Sequence, residues 1–395
     1  MPWVSLLLAI GSLVVSPDEY RDRRARLRAA IPDAAIVLEG APDTSGDPRS
    51  PMLQEPNFFY LTGWKEPGAV LVILPGTVEP NEILFLPPRS ERKERYEGHR
   101  VAAGDADASA RTGFAKVMST DVWEAEVSRL MQDGNVPRRM KLAEAGPAIA
   151  KLRMVKSRRE VDLIQHSIDV SIDAHLAAWK RAKPGLFEYQ LAATMTQVMM
   201  EQGCERHAYR PVVGSGPNSV ILHYGFNHRR MDSGELVLMD VGAECNAYAA
   251  DLTRTIPVSG RFTPRQRELY ELVLGAQKAA IAAVKPGASM GTRGDIVEAA
   301  KKYLDTHGKP IQGKPLSTYL THGIGHHVGL EVHDASADVP LAAGMVVTIE
   351  PGLYIAEENT GIRIEDMVLV TETGAKVLSS ALPRSASDVE RRMQH

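Results

Sequence analysis

Cysteine is scarce: Cys204 and Cys245 are the only two in 395 residues. That number excludes a disulfide framework and a cysteine-rich zinc fold. Because free cysteine is so often buried, the two are expected as buried thiols rather than a bridge. An excess of charge is also missing. Lys plus Arg number 46 against 49 Asp plus Glu, a net −3, so there is no electrostatic case for a nucleic-acid partner. No membrane span is expected either. The apolar run Val4–Val15 (VSLLLAIGSLVV) has twelve residues, where a spanning helix needs about twenty. A phosphate-binding loop is absent, since Gly214–Asn218 (GSGPN) lacks the Gly-Lys ending; it reads as a tight turn.

What is present begins with size. At ~100–200 residues per domain the length makes one large or two ordinary domains. A composition of 44% hydrophobic and 24% charged residues is that of a globular chain rather than a disordered one. The first fifteen residues leave two readings open. Their length suits the core of a secretory signal, yet Met1-Pro2-Trp3 has no Lys or Arg and no A-x-A site follows. The other reading is a first strand or ordered arm, and a cytoplasmic or exported location turns on the choice. Residues 18–120 have the pattern of a small α/β unit. Asp18–Ala30 mixes basic and apolar residues and reads as an exposed helix stopped by Pro32, while Ala34–Leu38, Ala69–Leu74 and Ile83–Leu86 are strand-length apolar runs. Near 150 the pattern changes to long amphipathic helices. Ser157 and Glu160 are spaced as a capping box, and Val161, Ile164, Ile168, Ile172, Leu176 and Trp179 form one apolar face. Further helices are expected over about Glu188–Gln202, from Thr263-Pro264 onward, and over about Arg293–Thr306. His166, His175 and His307 on these helices read as ordinary core-edge or surface residues.

A short internal similarity lies between and after the helices. Leu236–Gly242 (LVLMDVG) and Val346–Gly352 (VVTIEPG) are apolar strands ending in an acid, any residue, then glycine. A second acid follows each, Asp251 after 11 residues and Glu365 after 15. Strand-end acids alone are common turn formers. Here they are joined by Thr321–Asp334 (THGIGHHVGLEVHD), which holds four of the chain's twelve histidines: His322, His326, His327 and His333. One histidine with several carboxylates is a hard, oxygen-rich donor set suited to Mn²⁺, Co²⁺, Fe²⁺ or Zn²⁺. Two such ions roughly 3.5–4 Å apart can share and acidify a water.

The order Asp240, Asp251, His326, Glu350, Glu365, with the strings MDVGAECNAYAADLTRT, HGIGHHVGLEVHD, IEPGLYI and GIRIED, resembles the creatinase/methionine aminopeptidase-like "pita-bread" metallopeptidases. The likeness is to their proline-specific branch of Xaa-Pro aminopeptidases and Xaa-Pro dipeptidases, and NFFYLTGWKEPGAVLVILP (57–75) looks like part of the family's N-terminal domain. The resemblance implies an α+β chain. A creatinase-like α/β domain over 16–150, after the signal or arm of 1–15, would precede a catalytic pita-bread domain with a pseudo-twofold repeat over 151–395. It implies two divalent ions, Mn²⁺ first among the options, bridged by Asp251 and Glu365. Asp240 would complete one site, and His326 with Glu350 the other. Glu350 would also relay a proton from the bridging water, the nucleophile, to the leaving proline nitrogen. His223 and His333 match the family's active-site histidines that steady the reacting carbonyl. His322 and Arg363 match substrate-pocket positions, with Tyr354 in GLYI a further candidate; His327 matches no role. The implied substrates are peptides with proline second, and the implied assembly is a homo-oligomer, dimer or tetramer. The Xaa-Pro dipeptidase stays open as the alternative, as does, less favoured, a non-catalytic binder on the same fold.

Overall fold

The computed structural model describes residues 14–44, 54–132, 136 and 138–394. They fall into two compact units, Val15–Arg153 and Met154–His395. The apolar run at 4–15 lies almost wholly outside the described residues.

The first unit runs α1 (Pro17–Ala30), β1 (Ala34–Glu39), α2 (Pro56–Thr62), β2 (Val70–Ile73), β3 (Glu82–Leu86), α3 (Glu91–Glu97), α4 (Ala108–Thr112), β4 (Val117–Ser119), α5 (Trp123–Gln132), β5 (Arg138–Lys141) and α6 (Leu142–Met154). The five strands form one sheet in the order β4-β3-β2-β1-β5, antiparallel at the centre and parallel at both edges. β1 and β2 are buried along nearly their whole length, so they read as continuous apolar runs rather than alternating ones. Val127 and Leu130 of α5 pack on Val37, Val72 and Phe85.

Helix α1 is not the exposed helix its basic character suggested: Arg23, Arg24 and Leu27 are buried. Arg23 donates to the Tyr60 carbonyl and Arg24 to the Leu61 carbonyl, at the C-terminal end of α2, where carbonyls lack helical partners. Arg24 also pairs with Glu82 at 2.8 Å and lies over the Phe114 ring. Each buried guanidinium is thus matched by acceptors and an aromatic face.

The second unit is built twice over. First come α7 (Arg158–Arg181) and α8 (Glu188–Glu201), then β6 (Arg206–His207), β7 (Val212–Ser215), β8 (Leu236–Asp240), β9 (Ala243–Cys245), β10 (Tyr248–Ala249) and β11 (Thr253–Pro257). Next come α9 (Pro264–Ala283) and α10 (Asp295–His307), then β12 (Val346–Ile349), β13 (Gly352–Ile355), β14 (Thr360–Arg363), β15 (Asp366–Val370) and β16 (Ala375–Val377), with α11 (Ala386–Met393) last. Each half is a helix pair followed by a strand, a hairpin and a returning strand. β8 pairs antiparallel with β11, Asp240 opposite Thr253, and β12 pairs antiparallel with β15, Ile349 opposite Asp366. This is the pita-bread arrangement with its internal twofold. The predicted capping box of Ser157 with Glu160 is present, and Thr263 with Gln266 forms a second at the start of α9.

The glycine of the first acid-x-Gly string has a packing cause. A Cβ on Gly242 would stand 1.9 Å from the Ala250 carbonyl oxygen, so only glycine lets the two acid-bearing segments close on each other. Helix α7 then locks that hairpin with a polar seam at four-residue spacing. Ser167 donates to the Tyr248 carbonyl (2.8 Å), Ser171 accepts from the Ala243 amide (2.9 Å), and His175 Nε2 reaches the carbonyls of Val241 (3.1 Å) and Leu252 (3.2 Å). His175 is therefore neither core-edge nor surface; it is fully buried.

The two cysteines also depart from expectation. Cys204 and Cys245 form a disulfide, with Cα atoms 4.3 Å apart. The reason is register: β6 pairs with β9, Arg206 opposite Glu244, which brings the residue just after α8 against the end of β9. Among the described residues no helix is long and apolar enough to cross a membrane.

Candidate metal centre

Strand pairing delivers the acids to one place. Asp240 ends β8, Asp251 precedes β11, and Glu350 and Glu365 flank the β12/β15 pair. All four line a single cavity of about 490 Å³ together with His326. The donor atoms of Asp251, His326 and Glu365 lie within 4.8 Å of one another. His326 Nε2 is 3.3 Å from Asp251 Oδ2 and 3.6 Å from Glu350 Oε1. Its Nδ1 is 3.2 Å from the His327 carbonyl oxygen, an acceptor for a proton on Nδ1 that leaves Nε2 facing the acids.

The other predicted residues gather at the same cavity. His223, His322, His333 and Arg363 line it. His223 and His333 are exposed on the open side, and the His333 ring lies 4.1 Å from that of His326. Arg363 is buried and engaged three times: Nη2 with Asp240 Oδ2 (2.5 Å), Nη1 with the Tyr354 hydroxyl (2.8 Å), and Nε with Thr253 Oγ1 (3.1 Å). Tyr354 stands behind the cavity wall and joins Arg363 to His322 Nε2 at 2.8 Å. His327 is buried beside Val347, off the cavity.

Three groups that sequence reading did not single out complete the site. The Tyr209 hydroxyl is 2.6 Å from both Asp240 Oδ1 and Asp251 Oδ1. Thr253 Oγ1 donates to Glu365 Oε2 at 2.6 Å. Lys156 and Asp334 form a fully buried ion pair of 2.9 Å that pins the histidine loop directly after His333. No motif marks Tyr209 or Lys156; Thr253 lay unremarked inside a quoted string. A Gly-x-Ser-x-Gly string does occur, at Gly287–Gly291, but it sits in the loop between α9 and α10. A nucleophile elbow needs a strand-to-helix turn instead.

Burial dominates the electrostatics of the site. Burial pushes Asp251 and Glu365 up, with their neighbouring carboxylates adding to it, and raises Glu350 to about 7. Burial draws His326 down, but the hydrogen bond and charge of Asp251, with Glu350, more than offset this and leave it at about 9. Burial, then the Arg363 charge, lowers His322 to about 4. Asp251, Glu350 and Glu365, converging away from water, resist ionising together unless positive charge sits among them. That donor set, one imidazole and four carboxylates, fits divalent cations of the Mn²⁺ to Zn²⁺ group.

Residues 162–372 match the family described as Metallopeptidase family M24. The chain belongs to metallopeptidase family M24. Residues 20–137 match the family described as Aminopeptidase P, N-terminal domain, so both halves of this M24 chain have counterparts. It is 32% identical over 420 residues to the Xaa-Pro aminopeptidase of Haemophilus influenzae, covering 95% of this chain and 97% of that one. It is similar to the solved proline aminopeptidase P II from Yersinia pestis, with a TM-score of 0.86 and 28% identity over 96% of this chain and 99% of that one. It is equally similar to Escherichia coli aminopeptidase P with the inhibitor Pro-Leu, with a TM-score of 0.85 and 28% identity over 96% and 98%. As an M24 metallopeptidase the chain uses divalent metal, and the acidic cavity fits that requirement.

Proposed function

We propose that this chain is an Xaa-Pro aminopeptidase that removes an N-terminal residue followed by proline. The observation that carries the reading is the convergence of Asp240, Asp251, His326, Glu350 and Glu365 on one cavity with an open mouth, in a chain similar end to end to Xaa-Pro aminopeptidases. Two ions, Mn²⁺ before Co²⁺, Fe²⁺ or Zn²⁺, would be held by these five residues, with Asp251 and Glu365 shared between them. When bound, they supply Lewis acidity to the substrate carbonyl and acidity to a water.

The residues do the remaining work. Glu350 takes a proton from the attacking water and returns it to the proline nitrogen, which must be protonated to leave. His223 and His333, at the open side, hydrogen-bond the carbonyl oxygen as charge builds on it. Tyr354 and Arg363 fix the His322 ring and the Asp240 carboxylate, so the pocket holds its shape before substrate arrives. Such rigidity suits a peptide bond to proline, a tertiary amide whose ring restricts how it can be presented. Relatives imply peptide substrates; we further propose a homo-oligomer, dimer or tetramer.

The test is a peptide series with Mn²⁺. Release of the first residue from Xaa-Pro-Yaa is expected. Cleavage of the dipeptide Xaa-Pro alone would assign the chain as a dipeptidase, and no cleavage with any divalent metal would make it a binder.

A further inference from the structure

The catalytic cavity has a closed floor and an open rim of different character. Asp251 and Glu365 on the floor are 5% and 1% exposed, whereas Arg210, His223 and His333 line the same cavity and are exposed at its rim. An exopeptidase substrate has one sensible orientation in such a cavity. Its free amino group faces the acidic floor, and the residues after proline leave through the mouth. The rim therefore meets the substrate on the C-terminal side of its proline.

Two arginines line the cavity. Arg363 is buried and engaged with Asp240. Arg210 is the opposite case: it is exposed, and among the described residues no carboxylate pairs with it. Its guanidinium instead lies over the Phe226 ring, 5.7 Å from the ring centre. Its side chain lies across Gly225, where a Cβ would come within 2.9 Å of Arg210 Cδ and Nε. Tyr209 and Arg210 are consecutive, the first bonded to the floor acids and the second at the mouth. A cation beside an aromatic face and with no carboxylate partner of its own is available to an anion that the substrate brings.

We propose that Arg210 is a specificity residue that receives a carboxylate on the leaving side of the scissile bond. This deepens the aminopeptidase reading and rests on it. The carboxylate has two sources: the C-terminus of a short peptide, or an acidic side chain after the proline. The structure favours the charge itself, and the experiment separates the sources.

With the Mn²⁺-loaded full chain, kcat/KM is measured for Xaa-Pro-Ala amide, Xaa-Pro-Ala free acid, Xaa-Pro-Glu amide and Xaa-Pro-Lys amide. Either the free acid or the Glu amide, or both, should exceed the neutral amide by about two- to fivefold, as for an exposed ion pair. Arg210→Gln, which keeps a polar, uncharged side chain over Gly225, should bring that ratio to about one. Arg210→Glu should favour the Lys amide. Because each ratio is taken within one protein, a lower overall rate does not obscure it. If a variant fails to fold, the wild-type ratio still decides, since it should fall toward one as salt is raised. A wild-type ratio of one in both arms, a preference that survives in Arg210→Gln, or one untouched by salt would overturn the assignment. Brisk turnover without charge preference sinks only the role of Arg210. No turnover of any of the four substrates sinks the peptidase reading, and this proposal with it.

Discussion

Single side chains around the acidic floor divide into those that touch the reaction and those that hold the floor in place. His333 belongs to the first group, exposed in the cavity with its ring tilted against that of His326 and, among the described residues, no carboxylate paired with it. His333→Ala is expected to lower kcat by roughly 10²–10³-fold, the cost of losing one donor to the developing oxyanion. Metal content measured on the same protein should not change; loss of metal would make His333 a ligand. His175 belongs to the second group. Both Nε2 partners are carbonyls, so the ring proton sits on Nε2 and the neutral form is the one built into the core. Burial, then the Arg254 charge, lowers its pKa from 6.5 to about 4. Between those values the unfolded chain binds the extra proton and the folded one does not. The neutral form's stability is therefore complete above about pH 6.5 and declines toward pH 4, by roughly 3 kcal/mol at most. Denaturant unfolding of wild type and His175→Asn at pH 7 and pH 5 checks this: the variant should lose less on acidification. His175 was easy to pass over, since a histidine near a helix's apolar face looks ordinary until its carbonyl partners, 66 and 77 residues away, are known.

Among the elements, the two acid-bearing strand pairs were readable because a short apolar run ending in acid-x-Gly is a local pattern. The capping boxes of α7 and α9 were readable for the same reason. What joins the halves was not. Arg254 on β11 and Asp366 on β15 are both fully buried and paired at 2.8 Å, with Ser379 and Gln277 completing the carboxylate's hydrogen bonds. In sequence Arg254 is one charge in a TRT string, and its partner lies 112 residues on. The polar seam Ser167, Ser171 and His175 hides similarly, since small polar residues at helical spacing read as a solvent face. Arg254→Met leaves Asp366 charged, buried and without its main counter-ion, and should cost about 3–5 kcal/mol of unfolding free energy. A loss below about 1 kcal/mol in chemical denaturation would contradict that account.

For the whole molecule, the shift near residue 150 from short strands to long helices matches the division into two units, and the order of the five candidate ligands pointed to the unit in which those residues share a cavity. The disulfide was not legible, because two cysteines 41 residues apart say nothing of register until β6 is seen beside β9. Closing a loop of that length restricts the unfolded chain, worth ~4 kcal/mol in the loop-entropy account. Cys204→Ser should unfold at correspondingly lower denaturant, and an unchanged midpoint would show that the bridge adds no stability.

Five residues from two repeated halves would together hold a two-ion centre for removing a residue that precedes proline. Titrating metal-stripped protein with Mn²⁺ while following release of the first residue from an Xaa-Pro-Yaa peptide tests it most directly. Activity absent at the start, rising to a plateau at two ions per chain and nearly abolished in Glu350→Gln, is the predicted result. Full activity without added metal, or none at any ratio, would contradict it.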